Sequence, residues 1–120
     1  KDEAQRYGIN EKLLVMDRDF SVTNETALVV IDDVLALKVV KQLTSQGLRV
    51  PEDISIITYN NSIFTTIIHP YLTTFDINIE QLGATAVKKI LDLRDEEEKL
   101  PEKTIIPFQL IERETTKARI

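Results

Sequence analysis

The chain has 120 residues, 42% of them hydrophobic and 29% charged, with a net charge of −5 and no cysteine. That composition is ordinary for one soluble domain with a single core, and no apolar run approaches the roughly 18 residues of a membrane span. Disulfides and thiolate metal sites are excluded, a reducing cytoplasm fits, and the acidic balance lacks the clustered Lys and Arg that grip a phosphate backbone.

The opening "KDEAQRYGIN" has neither an initiator Met nor the apolar stretch of a signal peptide, and reads as the end of a helix that starts upstream; a fragment is expected. Four apolar bursts follow with strand character: Leu13 to Met16, Ala27 to Ile31, Ile54 to Tyr59 and Thr104 to Ile111, with a shorter one at Leu72 to Phe75. The second and third are continuously apolar, the pattern of parallel strands covered on both faces. Between them Leu35, Val39 and Leu43 form a helical stripe, widened by Val34, Ala36, Leu37 and Val40. Gly47 is placed to cap this helix and Pro51 to prevent its continuation, giving a right-handed strand–helix–strand unit.

A second helix is expected over residues 79–95, with Ile79, Leu82, Ala86 and Ile90 on one face and Asn78 with Gln81 as a capping box. The charge run "RDEEEKLPEK" then reads as a solvated helix end, and Pro107 makes the last strand an edge or a broken one. One join is too short: "DRDFSVTNET" between Met16 and Ala27 cannot hold the dozen or more residues of a parallel crossover, so residues are missing there or the two strands are not parallel neighbours. The fold class is therefore α/β, a parallel sheet flanked by helices.

In such a sheet ligands bind beyond the carboxyl ends of the strands. Those ends carry Asp17 to Phe20, Asp32-Asp33 and Asn60-Asn61. Singly, Asp33 could cap a helix beginning at Val34, and the asparagines could shape a turn. Together they supply the donors and acceptors that sugar hydroxyls require, with Phe20 available to stack on a sugar ring. Catalysis finds little support: His69, the one histidine, precedes Pro70, and no phosphate-binding glycine loop or zinc motif occurs. No metal or cofactor is implied. A receiver-type Mg²⁺ site at Asp32-Asp33 would want a further Asp and a Lys at other strand ends.

"GLRVPEDISIITYNN", "HPYLTTFDINIEQLG" and "LIERETT", in that order, resemble the C-terminal half of the effector domain of LacI/GalR-family transcription regulators, over most of Phe20 to Thr116. Within that family "YNNSIF" and "DIN" resemble most the maltose-operon repressors of Gram-positive bacteria. The resemblance implies a type I periplasmic-binding-protein-like domain with a flavodoxin-like lobe, the 120 residues forming mainly the C-terminal lobe and the helix at 79–95 belonging to the N-terminal one. It implies a sugar effector, maltose or a related α-glucoside; a homodimer; and operator DNA contacted through an N-terminal helix-turn-helix domain outside this chain. A sugar-binding protein of an uptake system is the alternative with the same fold.

Carried over by position, Phe20 lines the effector cleft, Asp32 stands where relatives often have Asn, and Asp33 is the common Asp. Asn60 stands at a sugar-contacting position that is frequently Asp. Ile77 replaces a cleft-lining Gln, which makes neighbouring Asp76 a candidate contact. Phe64, Ile67 and Ile68, with Leu37 nearby, fall at the subunit interface, which explains why a surface connection carries large apolar side chains.

Overall fold

The computed structural model describes residues 2–9, 22–95 and 102–118. The expected strand at Leu13 to Met16, the cleft candidate Phe20, the first half of the short join to Ala27 and the middle of the charge run lie outside the described residues.

After a single helical turn, α1 (Asp2–Arg6), come β1 (Ala27–Val29), α2 (Asp33–Ser45), β2 (Ser55–Tyr59), a 3-10 turn (Ile63–Thr66), β3 (Thr73–Asp76), α3 (Ile79–Asp95) and β4 (Gln109–Ile111). The strands form one sheet in the order β1-β2-β3-β4. The β1–β2 and β2–β3 pairings are parallel and β3–β4 is antiparallel, so the expected parallel sheet ends in a reversed edge. Pro107 accounts for the late start of β4: without an N–H it cannot join a ladder, and pairing begins only at Gln109.

α2 forms as its apolar stripe requires. Asp33, Ala36, Val39 and Leu43 are its buried residues, and the last three meet Val30, Ile54, Ile56 and Leu72 in the core. The N-cap is Asp32 rather than Asp33: Asp32 has extended backbone, and its Oδ2 accepts the Leu35 N–H at 3.0 Å. Gly47, at φ +81°, ends the helix as its sequence position predicts, its N–H bonding Thr44 O while the Leu48 N–H bonds Leu43 O.

Burial on both faces of the sheet holds for one face only. Ile56 and Thr58 of β2 are buried beneath α2, whereas Ile57 is half-buried and Tyr59 exposed on the other side. α3 has the predicted range, yet Ile79, Leu82, Val87, Ile90 and Leu91 are all exposed, so its apolar face lies bare among the described residues. The capping box takes another form. Asn78 is left-handed, at φ +55°, and its Nδ2 donates to Gln81 Oε1 at 2.7 Å instead of its oxygen accepting a backbone N–H.

Buried threonines join the strands beyond their ladders. Thr115 Oγ1 donates to Ile56 O at 2.7 Å and accepts the Thr73 N–H at 2.8 Å, while the Ile56 N–H reaches Thr115 O. Thr73 Oγ1 accepts the Arg113 N–H at 2.9 Å and lies 2.9 Å from Thr116 Oγ1. The "LTT" and "RETT" stretches are thus two halves of one clasp. Each such bond contributes about 1 kcal/mol net, and considerably more is lost when a buried partner is left unpaired.

Candidate functional site

The pairing register decides whether the predicted polar residues meet. Val29 pairs with Ile57, and Ile57 with Thr73. Asp32, Asn60 and Asp76 each stand three residues beyond those partners, at the carboxyl ends of three neighbouring parallel strands. Adjacent co-directional strands thereby bring all three to one rim, with Gln109 of antiparallel β4 opposite Asp76.

Asn60 and Asn61 turn the chain off β2 with φ of 92° and 48°, a region asparagine enters more readily than other non-glycine residues. The Asn60 N–H bonds Phe75 O, and its side-chain amide has no hydrogen-bond partner among the described residues. Asn61 is fully engaged: its Oδ1 accepts from Arg113 Nη2 at 2.7 Å and its Nδ2 donates to Asp76 Oδ2 at 3.2 Å.

Asp33 does not face the rim. It is 2% exposed; Oδ1 accepts from Thr58 Oγ1 at 3.0 Å and Oδ2 accepts the Ser62 N–H at 2.8 Å. Its carboxylate fastens the start of α2 to β2 and to the entry of the 3-10 turn, which is a structural assignment. Asp76 is also committed in part, since its Oδ1 accepts the Asn78 N–H at 2.8 Å. Of the described candidates, Asn60 keeps the free polar group, and Asp32 is exposed with one carboxylate oxygen given to its helix. No group of three or more His, Asp or Glu side chains among the described residues is placed to hold a metal ion.

Beside this rim lies an apolar cavity of about 370 Å³, lined by Tyr59, Phe75, Ile77, Leu82, Thr104, Ile106 and Phe108. Its aromatic wall is ordered by contacts between rings: Tyr59 and Phe75 at 5.2 Å between centroids, Phe75 and Phe108 edge to face at 5.5 Å. Sequence reasoning passed over Arg113 and this wall; the usable signal was the two-residue period of a strand, which turns Tyr59 away from Ile56 and Thr58.

The apolar connection after Asn61 is exposed. Ile63 is 74%, Phe64 41%, Ile67 51% and Ile68 60% accessible, while buried Thr65 anchors the turn and Leu37 packs half-buried against the core. The segment's far end is held by Glu114, whose carboxylate accepts the Tyr71 N–H at 2.6 Å and lies 2.7 Å from His69 Nδ1; the His69 ring stacks on Tyr71.

The Tyr71 N–H, and then His69, keep the Glu114 carboxyl below the usual carboxylate range. The Arg49 side chain, followed by its backbone N–H, holds Asp53 down at about 2. A depressed carboxylate contributes stability that is complete above its unfolded pKa and disappears as pH falls through the folded one. The share of urea resistance that these two carboxylates supply should therefore be constant above about pH 5 and decline from there toward pH 2. Urea titrations at a series of pH values check this, and Glu114→Gln should make the decline smaller.

A family model described as periplasmic binding protein-like domain matches residues 1–116. The chain is 37% identical over 93 residues to an HTH-type transcriptional regulator of Lachnoclostridium phytofermentans, an alignment covering 78% of this chain and 28% of that protein. It is 33% identical over 119 residues to the lactose operon repressor of Escherichia coli, covering 96% of this chain and 33% of the repressor. The chain thus spans roughly a third of these relatives. Among solved structures, a periplasmic binding protein/LacI transcriptional regulator from Alkaliphilus metalliredigens, complexed with D-xylulofuranose, superposes with a TM-score of 0.80 at 27% identity, over 98% of this chain and 49% of that one. No helix of the described residues is long and apolar enough to cross a membrane.

Proposed function

We propose that this chain, which belongs to the periplasmic binding protein-like family, is the effector-sensing and dimerisation part of a LacI/GalR-type repressor of a sugar operon, and not an enzyme. Its effector is a sugar, maltose or a related α-glucoside, and it works in the cytoplasm. The observation that carries this reading is the level rim of Asp32, Asn60 and Asp76 beside an aromatic-lined cavity: donors and acceptors for hydroxyls adjoin ring faces for a sugar's apolar side. The maltose class rests on the likeness of "YNNSIF" and "DIN" to maltose-operon repressors.

α3 completes the cleft from the other lobe, which gives its bare apolar face a partner, and Phe64, Ile67 and Ile68 meet their counterparts in a second copy, with Leu37 beneath them. Sugar bridging the lobes favours one closure angle, and the dimer passes that angle to DNA-binding heads outside this chain. Maltose added to the intact protein should change its affinity for operator DNA about 5- to 150-fold, measured by fluorescence anisotropy. Indifference to maltose and to related α-glucosides would remove the effector class. Ile67→Asp, which buries a charge in the proposed interface, should convert dimer to monomer in sedimentation at micromolar concentration with the fold intact.

A further inference from the structure

The exit of the chain from β3 is fixed by a short polar relay. Asp76 divides its carboxylate between the Asn78 N–H, at 2.8 Å, and Asn61 Nδ2, at 3.2 Å. Asn61 Oδ1 accepts from Arg113 Nη2 at 2.7 Å, and Arg113 Nη1 donates to Leu72 O at 3.0 Å. The Asn61 N–H is itself held by Thr74 Oγ1 at 3.2 Å. The relay is half-buried and links the turn after β2, both ends of β3 and the second residue past β4 into one unit.

The order of groups gives the relay a direction. A guanidinium only donates, and an ionised carboxylate only accepts. A side chain joining the two must accept on one side and donate on the other, and an amide does both at once. Arg113 therefore dictates which end of the Asn61 amide faces Asp76. Asp76 in turn holds Asn78, whose left-handed backbone, at φ +55°, turns the chain from the sheet into α3. Asn60, with its free amide, is the immediate neighbour of Asn61.

We infer that Asn61 is a positioning residue: oriented by Arg113 and acting through Asp76, it latches the crossover from β3 to α3 and ties that crossover to the effector rim. The second half rests on the function proposed above. Effector at Asn60 acts on the turn that carries Asn61, and the latch transmits this to the geometry at which α3 leaves the sheet.

The test is a reciprocal exchange. N61D keeps an acceptor for Arg113 but sets a carboxylate against Asp76; N61D/D76N restores a donor–acceptor pair with its polarity reversed and leaves an acceptor for Asn78. In amide hydrogen exchange by NMR, N61D should speed exchange of the Asn78 N–H about tenfold while the Ile56 N–H, in the threonine clasp, stays within about threefold of wild type. The double variant should return Asn78 to within about threefold of wild type. A merely structural residue would accelerate Asn78 and Ile56 together; that pattern, an unchanged Asn78, or a double variant no slower than N61D overturns the latch. In the intact protein saturated with maltose, N61D should lose most of the change in operator affinity that the sugar brings about in wild type. An N61D protein that responds like wild type overturns the coupling role. Wild-type protein indifferent to sugars, alongside the expected exchange pattern, overturns the effector reading and upholds the latch.

Discussion

Asp33→Ala should lower the stability of the protein by about 2–4 kcal/mol, against about 1 kcal/mol for Asp32→Ala, although the two residues are adjacent acids at the start of one helix. The difference follows from where each carboxylate goes. Asp32 caps α2 from an exposed position, and water replaces much of what its loss removes. Asp33 is buried and serves two donors, so its removal strands the Thr58 hydroxyl and the Ser62 N–H in the interior. Asp33→Asn keeps one acceptor and should fall between the two. Urea denaturation followed by circular dichroism measures all three. A stable Asp33→Ala protein that had only lost sugar affinity would return Asp33 to the list of effector contacts.

The two acids also mark how far the sequence could be read. That Asp32, Asn60 and Asp76 share one rim was legible, because continuous apolar bursts imply parallel strands and parallel strands align their carboxyl ends. Which of two consecutive aspartates lies at the rim was not, since a shift of one residue in the helix start rotates a side chain by about 100° and exchanges rim for core. The resemblance pointed to Asn60 but not to Arg113, whose role depends on β4 running antiparallel to β3 and delivering the "RETT" stretch back to the start of β3. α3 was predicted over its full range from periodicity, and periodicity identifies an apolar face without saying what covers it. Phe64, Ile67 and Ile68 stood out as an excess of apolar residues over what one short segment can bury within its own chain, and exposure is what the fold gives them.

Removing the Asn60 amide should weaken sugar binding about ten- to a hundredfold while leaving stability unchanged or slightly raised. Asn60→Gly is the cleaner variant. At φ 92° a residue with a Cβ is unfavourable and glycine is at ease, so the substitution deletes the amide without adding backbone strain; Asn60→Ala retains that strain and should be the less stable of the two. No described partner loses a hydrogen bond when the side chain goes, since the contact that β3 makes with Asn60 is through its backbone N–H. Ligand affinity and folding are therefore separable at this position, as they are not at Asp33 or Arg113.

Calorimetric titration of maltose, and of related α-glucosides, into the intact wild-type and Asn60→Gly proteins bears on the rim most directly. Saturable binding to wild type that drops at least about tenfold in the variant, with equal urea midpoints, is the expected result. Equal affinity in both proteins, or no binding of any α-glucoside to wild type, would contradict it.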